Sequence, residues 1–211
     1  MIEIIINKDT NNVKTIAIVE NGILIEKYIE KEDKVRLEGN VYMGKVENVL
    51  QGMQAAFVNI GEGKNTFIHL RDLLPKIDIT KQEKNDLSKM NITNEVKPGD
   101  FILVQVKRDS TSQKGPRISK HISLVGRYLV LMPETEIITV SQKIENKTEQ
   151  KRLKEISEEI LPKKFGVIIR TSAEGKEKEE INKDLMQLLK RWEKIKEATI
   201  NIKKPKLLEN N

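Results

Sequence analysis

Arg170 and Thr171 stand at the end of an apolar run in the stretch Gly166–Lys176, GVIIRTSAEGK. The order of residue types reads as a buried strand, then the Arg-Thr pair, then small residues opening a charged helix. Arginine offers a planar fork of N–H donors, and a helix start offers unpaired amides at a positive dipole end. The group that such a cluster suits is a phosphate. A second stretch, 39–70, GNVYMGKVENVLQGMQAAFVNIGEGKNTFIHL, sets Phe57 and Phe67 ten positions apart on neighbouring predicted strands. Aromatic platforms on a barrel face stack unpaired bases. Aromatic side chains are also usual core residues, and spacing alone leaves both readings open.

Other residues that tempt towards chemistry are weaker. Lys107, Arg108, Lys114, Arg117 and Lys120 form a basic string beside the aromatic strands, suited either to an RNA backbone or to plain solvation. Gly61–Lys64, GEGK, is too short for a phosphate-binding loop, and Asn65 follows where Ser or Thr is needed, so it reads as a solvated turn. The charge run Lys176–Glu180 reads as solvated, and Trp192 as core. The acid pairs Glu32-Asp33, Glu158-Glu159 and Glu179-Glu180 fall on turns or helix surfaces. A metal site needs oxygen ligands that converge in a cleft. The chain has no Cys, which excludes disulfides, thiolate zinc sites and cysteine nucleophiles. With only His69 and His121 present, histidine metal sites and Ser-His-Asp triads are poor fits.

The elements that must position these groups are legible in the hydropathy pattern. Ile2–Ile6, Val13–Val19 and Ile23–Ile29 are β-branched runs, the last two joined by Asn21-Gly22, so residues 1–30 form an antiparallel meander. Three strands alone bury too little to be stable without a partner. Short strands follow at Val41–Val46, Ala55–Ile60 and Thr66–Leu70. The polar Arg71–Lys97 is a long connection with a helical turn, and Phe101–Lys107 is an alternating strand. Five short strands with one long connection fit an OB-type barrel. Ser110–Lys120 is polar and basic, and Ile122–Met132 is apolar up to Pro133. Ile137–Val140 and Phe165–Ile169 are strands. Lys147–Leu161 is an amphipathic helix with Leu153, Ile156 and Ile160 on one face. Glu177–Glu197 is a second, with Ile181, Leu185, Leu188, Leu189, Trp192 and Ile195 in helical spacing. The tail, Lys203–Asn211, closes no element.

The chain of 211 residues is 33% charged and 37% hydrophobic, with 38 Lys and Arg against 32 acids and a net charge of +6. That excess permits nucleic-acid binding without demanding it. The first residues, MIEIIINKD, lack a basic n-region, and no run approaches the roughly 20 apolar residues of a membrane span. The expectation is a cytoplasmic protein with no membrane span.

Four ordered motifs carry a resemblance. The segment 39–70 is similar to the OB-type RNA-binding domain of bacterial ribonucleases of the RNase E/G family. Gly115–Pro133, GPRISKHISLVGRYLVLMP, resembles that family's connector. GVIIRTSAEGK and LLKRWEKI, residues 188–195, resemble it in the same order. The resemblance implies that Phe57 and Phe67 stack RNA bases and that Lys114 contacts RNA. It also implies that Arg170 and Thr171 bind the 5′-monophosphate of the substrate, with the backbone of Gly126 and Val130 lining that pocket. The family cuts single-stranded RNA with magnesium held by acidic residues of a later domain, and it assembles as homo-oligomers. By this resemblance no catalytic residue and no cofactor belongs to this chain, which corresponds to the amino-terminal half of such an enzyme and is inactive alone.

The expected fold is α+β with several subdomains. Residues 1–36 are a partial RNase H-like meander, and 37–121 an OB-fold RNA-binding domain. Residues 122–200 are a small α+β 5′-sensor, and 201–211 the start of a segment returning to the RNase H-like part. The expected function is RNA binding and 5′-monophosphate sensing within a single-strand-specific endoribonuclease of RNA processing and decay. Two rivals are a stand-alone, non-catalytic RNA-binding regulator and an interaction scaffold that docks a partner on the helix 177–197.

Overall fold

A computed structural model describes residues 2–8, 13–31, 36–63, 65–74, 90–110 and 115–211. The chain divides into two compact units, Met1–Arg36 and Leu37–Asn211.

In the first unit, β1 (Ile2–Lys8), β2 (Val13–Glu20) and β3 (Ile23–Lys31) form an antiparallel sheet in that order. The turn between β2 and β3 uses Asn21 and Gly22 at φ +49° and +80°. Both signs are those of the tight hairpin turn whose twist matches the strands, which explains an Asn-Gly at this point. Register pairs Ile4 with Ile18 and Ile6 with Ile16, and Ile16 pairs onward with Tyr28. On this apolar face Ile4 is 66% exposed.

The second unit is α+β, built on a closed five-stranded barrel. Its strands are β4 (Val41–Leu50), β5 (Ala55–Asn59), β6 (Thr66–His69), β7 (Phe101–Arg108) and β8 (Arg117–Ser119). They run β4-β5-β6-β8-β7, and β7 pairs back onto β4. Closure is possible because β4 is long and bulged between Val46 and Asn48. Its first half pairs with β7 and its second half with β5. The pleat sends Ala56, Val58, Ile68, Val104, Val106 and Ile118 inward to a dry core. Two single helical turns, α1 (Leu70–Leu73) and α2 (Ile92–Glu95), add Leu70, Leu73 and Ile92 to that core. The fifth strand, β8, lies inside the segment whose polar, basic composition suggested no strand. It is only three residues long, and its alternation cannot be seen in so short a run.

A mixed four-stranded sheet follows, ordered β11-β12-β10-β9, from β9 (Leu124–Val125), β10 (Leu129–Pro133), β11 (Ile138–Val140) and β12 (Phe165–Ile169). Helix α3 (Lys147–Ile160) packs on β11 and β12, and α4 (Lys178–Ala198) on β10 and β9. Asn146 caps α3 by accepting from the amides of Thr148 and Glu149. Leu129, Leu131, Val167 and Ile169 from the sheet meet Leu153, Ile181, Leu185, Leu188, Trp192 and Ile195 from the helices in one core.

The barrel and the sheet are stitched together by Gln105, 4% exposed. Its amide nitrogen donates to the carbonyls of Gly39 and Ser123 at 2.8 and 2.9 Å, and its oxygen accepts from the Ser123 amide at 2.9 Å. The tail does close an element. A last strand, β13 (Lys206–Glu209), adds to the free edge of β4, and Arg191 of α4 holds Glu209 at 2.7 Å. The segment 201–211 thus contributes a strand against the barrel. Among the described residues, no helix is long and apolar enough to cross a membrane.

Candidate nucleic-acid interface

Two surfaces gather the residues singled out by sequence. The first is on the outside of the barrel. Register places Asn48 of β4 beside Phe57 of β5, Phe57 beside Phe67 of β6, and Phe67 beside Arg117 of β8. Cross-strand partners point to the same face, so these four form one row across the sheet. The two rings meet edge to face, with centroids 6.2 Å apart and planes at 66°. Both are half-buried and neither belongs to the barrel core, whose inward positions are their chain neighbours Ala56, Val58 and Ile68. The pleat thus places both rings on the outer face, outside the barrel core. At the end of the row, Arg117 is held by the Asp72 carboxylate through Nη2 at 2.8 Å and Nε at 3.1 Å. Lys114 lies outside the described residues.

The second surface is the corner where β12 ends. Arg170 leaves the strand in extended conformation, and Thr171–Ala173 make one 3₁₀ turn. Helix α4 begins only at Lys178, so the small residues do not open it. Sequence cannot separate a 3₁₀ turn followed by a break from a first α-turn. Here Gly175, at φ +70°, ends the turn before the helix starts. The first turn of α4 therefore does not include Arg170 or Thr171, and it carries its own Glu179 and Glu180.

A loop facing Arg170 joins β9 to β10. Arg170 Nη1 donates to the carbonyl of Gly126 and, at 3.4 Å, to that of Arg127. Ser172 Oγ also donates to the Arg127 carbonyl, and the Arg170 amide donates to Tyr128 O at 2.8 Å. One corner of the guanidinium is thus anchored. Its Nε and Nη2 have no protein acceptor among the described residues, and the Thr171 and Ser172 side chains are exposed. Val130 sits one row inside the sheet, paired with Val125 and Ile168, both of them exposed. Structure therefore brings Gly126, Val130, Arg170 and Thr171 into one neighbourhood.

Further residues that the sequence did not single out build this corner. The Arg127 guanidinium lies over the Tyr128 ring, 5.2 Å from its centroid, and Lys176 Nζ lies 5.8 Å from it. Lys176 also reaches Glu180 at 3.3 Å, as does the Tyr128 hydroxyl at 3.2 Å. Desolvation raises the Glu180 carboxyl, but Lys176 and Tyr128 outweigh it and leave its pKa below the usual value. Glu149 of α3 accepts two bonds from Arg152, both at 2.7 Å, and one from the Gly175 amide at 2.9 Å. The Arg152 bonds lead in holding its pKa at about 2, against the opposing effect of burial, and the Gly175 bond adds to them. Arg152 donates as well to Lys176 O, so α3 fixes the strand-to-helix connection at two points. Asp184 is buried beneath the Gly126–Leu129 loop. Its signal in sequence was a charged residue on the apolar stripe of α4 between Ile181 and Leu188. Among the described residues no group of three or more His, Cys, Asp or Glu is placed to hold a metal.

The fold is an OB-type barrel with an appended α+β subdomain. Residues 123–211 match the model of the Ribonuclease E/G family. Ribonuclease G of Escherichia coli (strain K12) is 38% identical over 196 residues, covering 92% of this chain and 40% of that protein. Ribonuclease G of Haemophilus influenzae is 38% identical over 197 residues, covering 93% and 40%. Ribonuclease E of Nostoc sp. is 40% identical over 174 residues, covering 82% and 24%. The chain belongs to the ribonuclease E/G family, and it spans about 40% of the length of the ribonuclease G relatives it matches.

Proposed function

We propose that this chain grips single-stranded RNA along the Phe57–Phe67 row and recognises a terminal 5′-monophosphate at the Arg170 corner, as part of a single-strand-specific endoribonuclease of RNA processing and decay. The observation that carries the reading is the state of Arg170. One nitrogen is fixed to the Gly126–Arg127 loop, the rest of the fork has no acceptor among the described residues, and the next side chain, Thr171, is exposed. A fork oriented in advance suits a terminal phosphate, which offers several oxygens to a planar donor set. Arg127 and Lys176 add two further cations around the Tyr128 ring of the same loop. Stacking on the aromatic row is indifferent to sequence, and the arginine corner adds the preference for one kind of end. In this proposal the magnesium ion and the carboxylates that cut the strand belong to the share of the relatives' length that the chain does not span, as do the contacts of a homo-oligomer. Anchoring the end raises the effective concentration of the downstream strand at that cutting site.

The test is the affinity for one short single-stranded RNA with a 5′-monophosphate or a 5′-hydroxyl, at fixed salt. The phosphate should improve binding, and Arg170→Ala should abolish the improvement, about tenfold for a charge-assisted pair, without weakening the 5′-hydroxyl RNA. An Arg170→Ala protein that keeps the wild-type preference refutes the assignment.

A further inference from the structure

We propose that Asp184 is a positioning residue for end recognition, setting the direction of the Arg170 guanidinium through three consecutive peptide groups. The inference rests on the reading of Arg170 as the phosphate contact. Asp184 is 8% exposed and lies on the inner face of α4 between Ile181 and Leu185. A carboxylate in such a place is costly unless its oxygens are bonded. Here Oδ1 accepts from the Arg127 amide at 3.1 Å, and Oδ2 accepts from the Tyr128 and Leu129 amides at 2.8 and 3.0 Å.

In a trans peptide group the N–H and the C=O point opposite ways. Turning the N–H groups of Arg127, Tyr128 and Leu129 towards Asp184 therefore turns the carbonyls of Gly126, Arg127 and Tyr128 away from it. Those three carbonyls are the acceptors used by the Arg170 side chain, the Ser172 hydroxyl and the Arg170 amide. Each peptide group is thus bonded to Asp184 on one side and to Arg170–Ser172 on the other. Hydrogen bonds in such a chain polarise one another, so the carboxylate also strengthens the carbonyls that hold the guanidinium. Gly126 belongs to the same device. A Cβ there would lie 2.6 Å from Oδ2 and 2.7 Å from Oδ1 of Asp184, so only glycine lets the loop come this close. Asp184 touches no ligand; it decides where Arg170 points.

The experiment measures the ratio of affinities for 5′-monophosphate and 5′-hydroxyl RNA in the full chain, with Arg170→Ala alongside. Asp184→Asn keeps the shape but puts an NH₂ where an oxygen received an amide N–H. It should reduce the ratio about tenfold, the scale of lost charge-assisted hydrogen bonds, and leave affinity for the 5′-hydroxyl RNA within about twofold. A residue that only stabilised the fold would lower both affinities together. Ser172→Ala changes an exposed side chain and removes a second hold on the loop, and it should lower the ratio about threefold. It serves as the readout if Asp184→Asn does not fold. A wild-type ratio in a folded Asp184→Asn protein, or in Ser172→Ala, overturns the inference while leaving Arg170's role standing. A wild-type ratio in Arg170→Ala overturns both.

Discussion

Replacing Phe57 and Phe67 by alanine tests the platform at its weakest assumption, that these rings serve RNA rather than the barrel. Base stacking on an aromatic side chain is worth about 1–3 kcal/mol, so each ring removed should weaken single-stranded RNA binding about 5- to 150-fold. The two rings touch edge to face at 6.2 Å, so each also orients the other. Their effects should therefore fall short of additive, with the double variant weaker than either single one by less than the product of the two losses. The edge-to-face contact itself is worth about 0.5–1.5 kcal/mol. Because both rings are half-buried, outside the barrel core, the stability lost per ring should stay near that figure. A core Phe→Ala costs about 3–5 kcal/mol. Fluorescence anisotropy with a labelled 5′-hydroxyl RNA gives the affinity, and denaturant melts give the stability. The dependence on salt should keep its slope, since no phosphate contact is lost. Unchanged affinity in a folded double variant would refute the platform. A stability loss of core size would show that the rings pack the barrel instead.

Arg117→Ala removes the cation that continues the aromatic row. It should weaken binding of every RNA alike and lower the salt slope by about one, and an unchanged slope would remove Arg117 from the interface. Acidification should loosen the arginine corner. The Glu149 carboxyl is lowered from 4.5 to about 2, so its contribution is full above about pH 4.5 and is lost as the pH falls towards 2. Glu149→Gln should flatten the fall in melting temperature over that window, and an equally steep fall would show that the Arg152–Glu149–Gly175 bonds do not matter to stability. Gly166→Ala should destabilise the protein by about 1–3 kcal/mol, because a Cβ there would meet the Ile137 carbonyl oxygen at 2.5 Å and press β11 off β12. A melt at the wild-type midpoint would contradict that packing.

Much of the fold was legible because it rests on local chemistry. The Asn21-Gly22 turn, the alternation of Phe101–Arg108, and the helical stripe from Ile181 to Ile195 each declare their element within a few residues. The strand β8 escaped notice because three residues carry too little pattern, and the tail, resembling the start of a returning strand, did not show that β13 pairs with β4. The candidate site divides in the same way. Arg170 and Thr171 stood out by type and order. Asp184 showed only as an ill-placed charge, because its partners are amides on a loop 55 to 57 positions away.

By itself the sequence determined which groups are available: two aromatic rings on adjacent strands, a guanidinium beside a hydroxyl at a strand end, and no thiol. Residue type and short-range periodicity are properties of the chain alone. Tertiary structure decided what these groups face. The pleat and register of the closed barrel put Phe57 and Phe67 on one outer face, and a buried carboxylate from α4 turned three peptide groups so that their carbonyls hold Arg170. Facing depends on contacts between distant segments, and those exist only once the chain has packed.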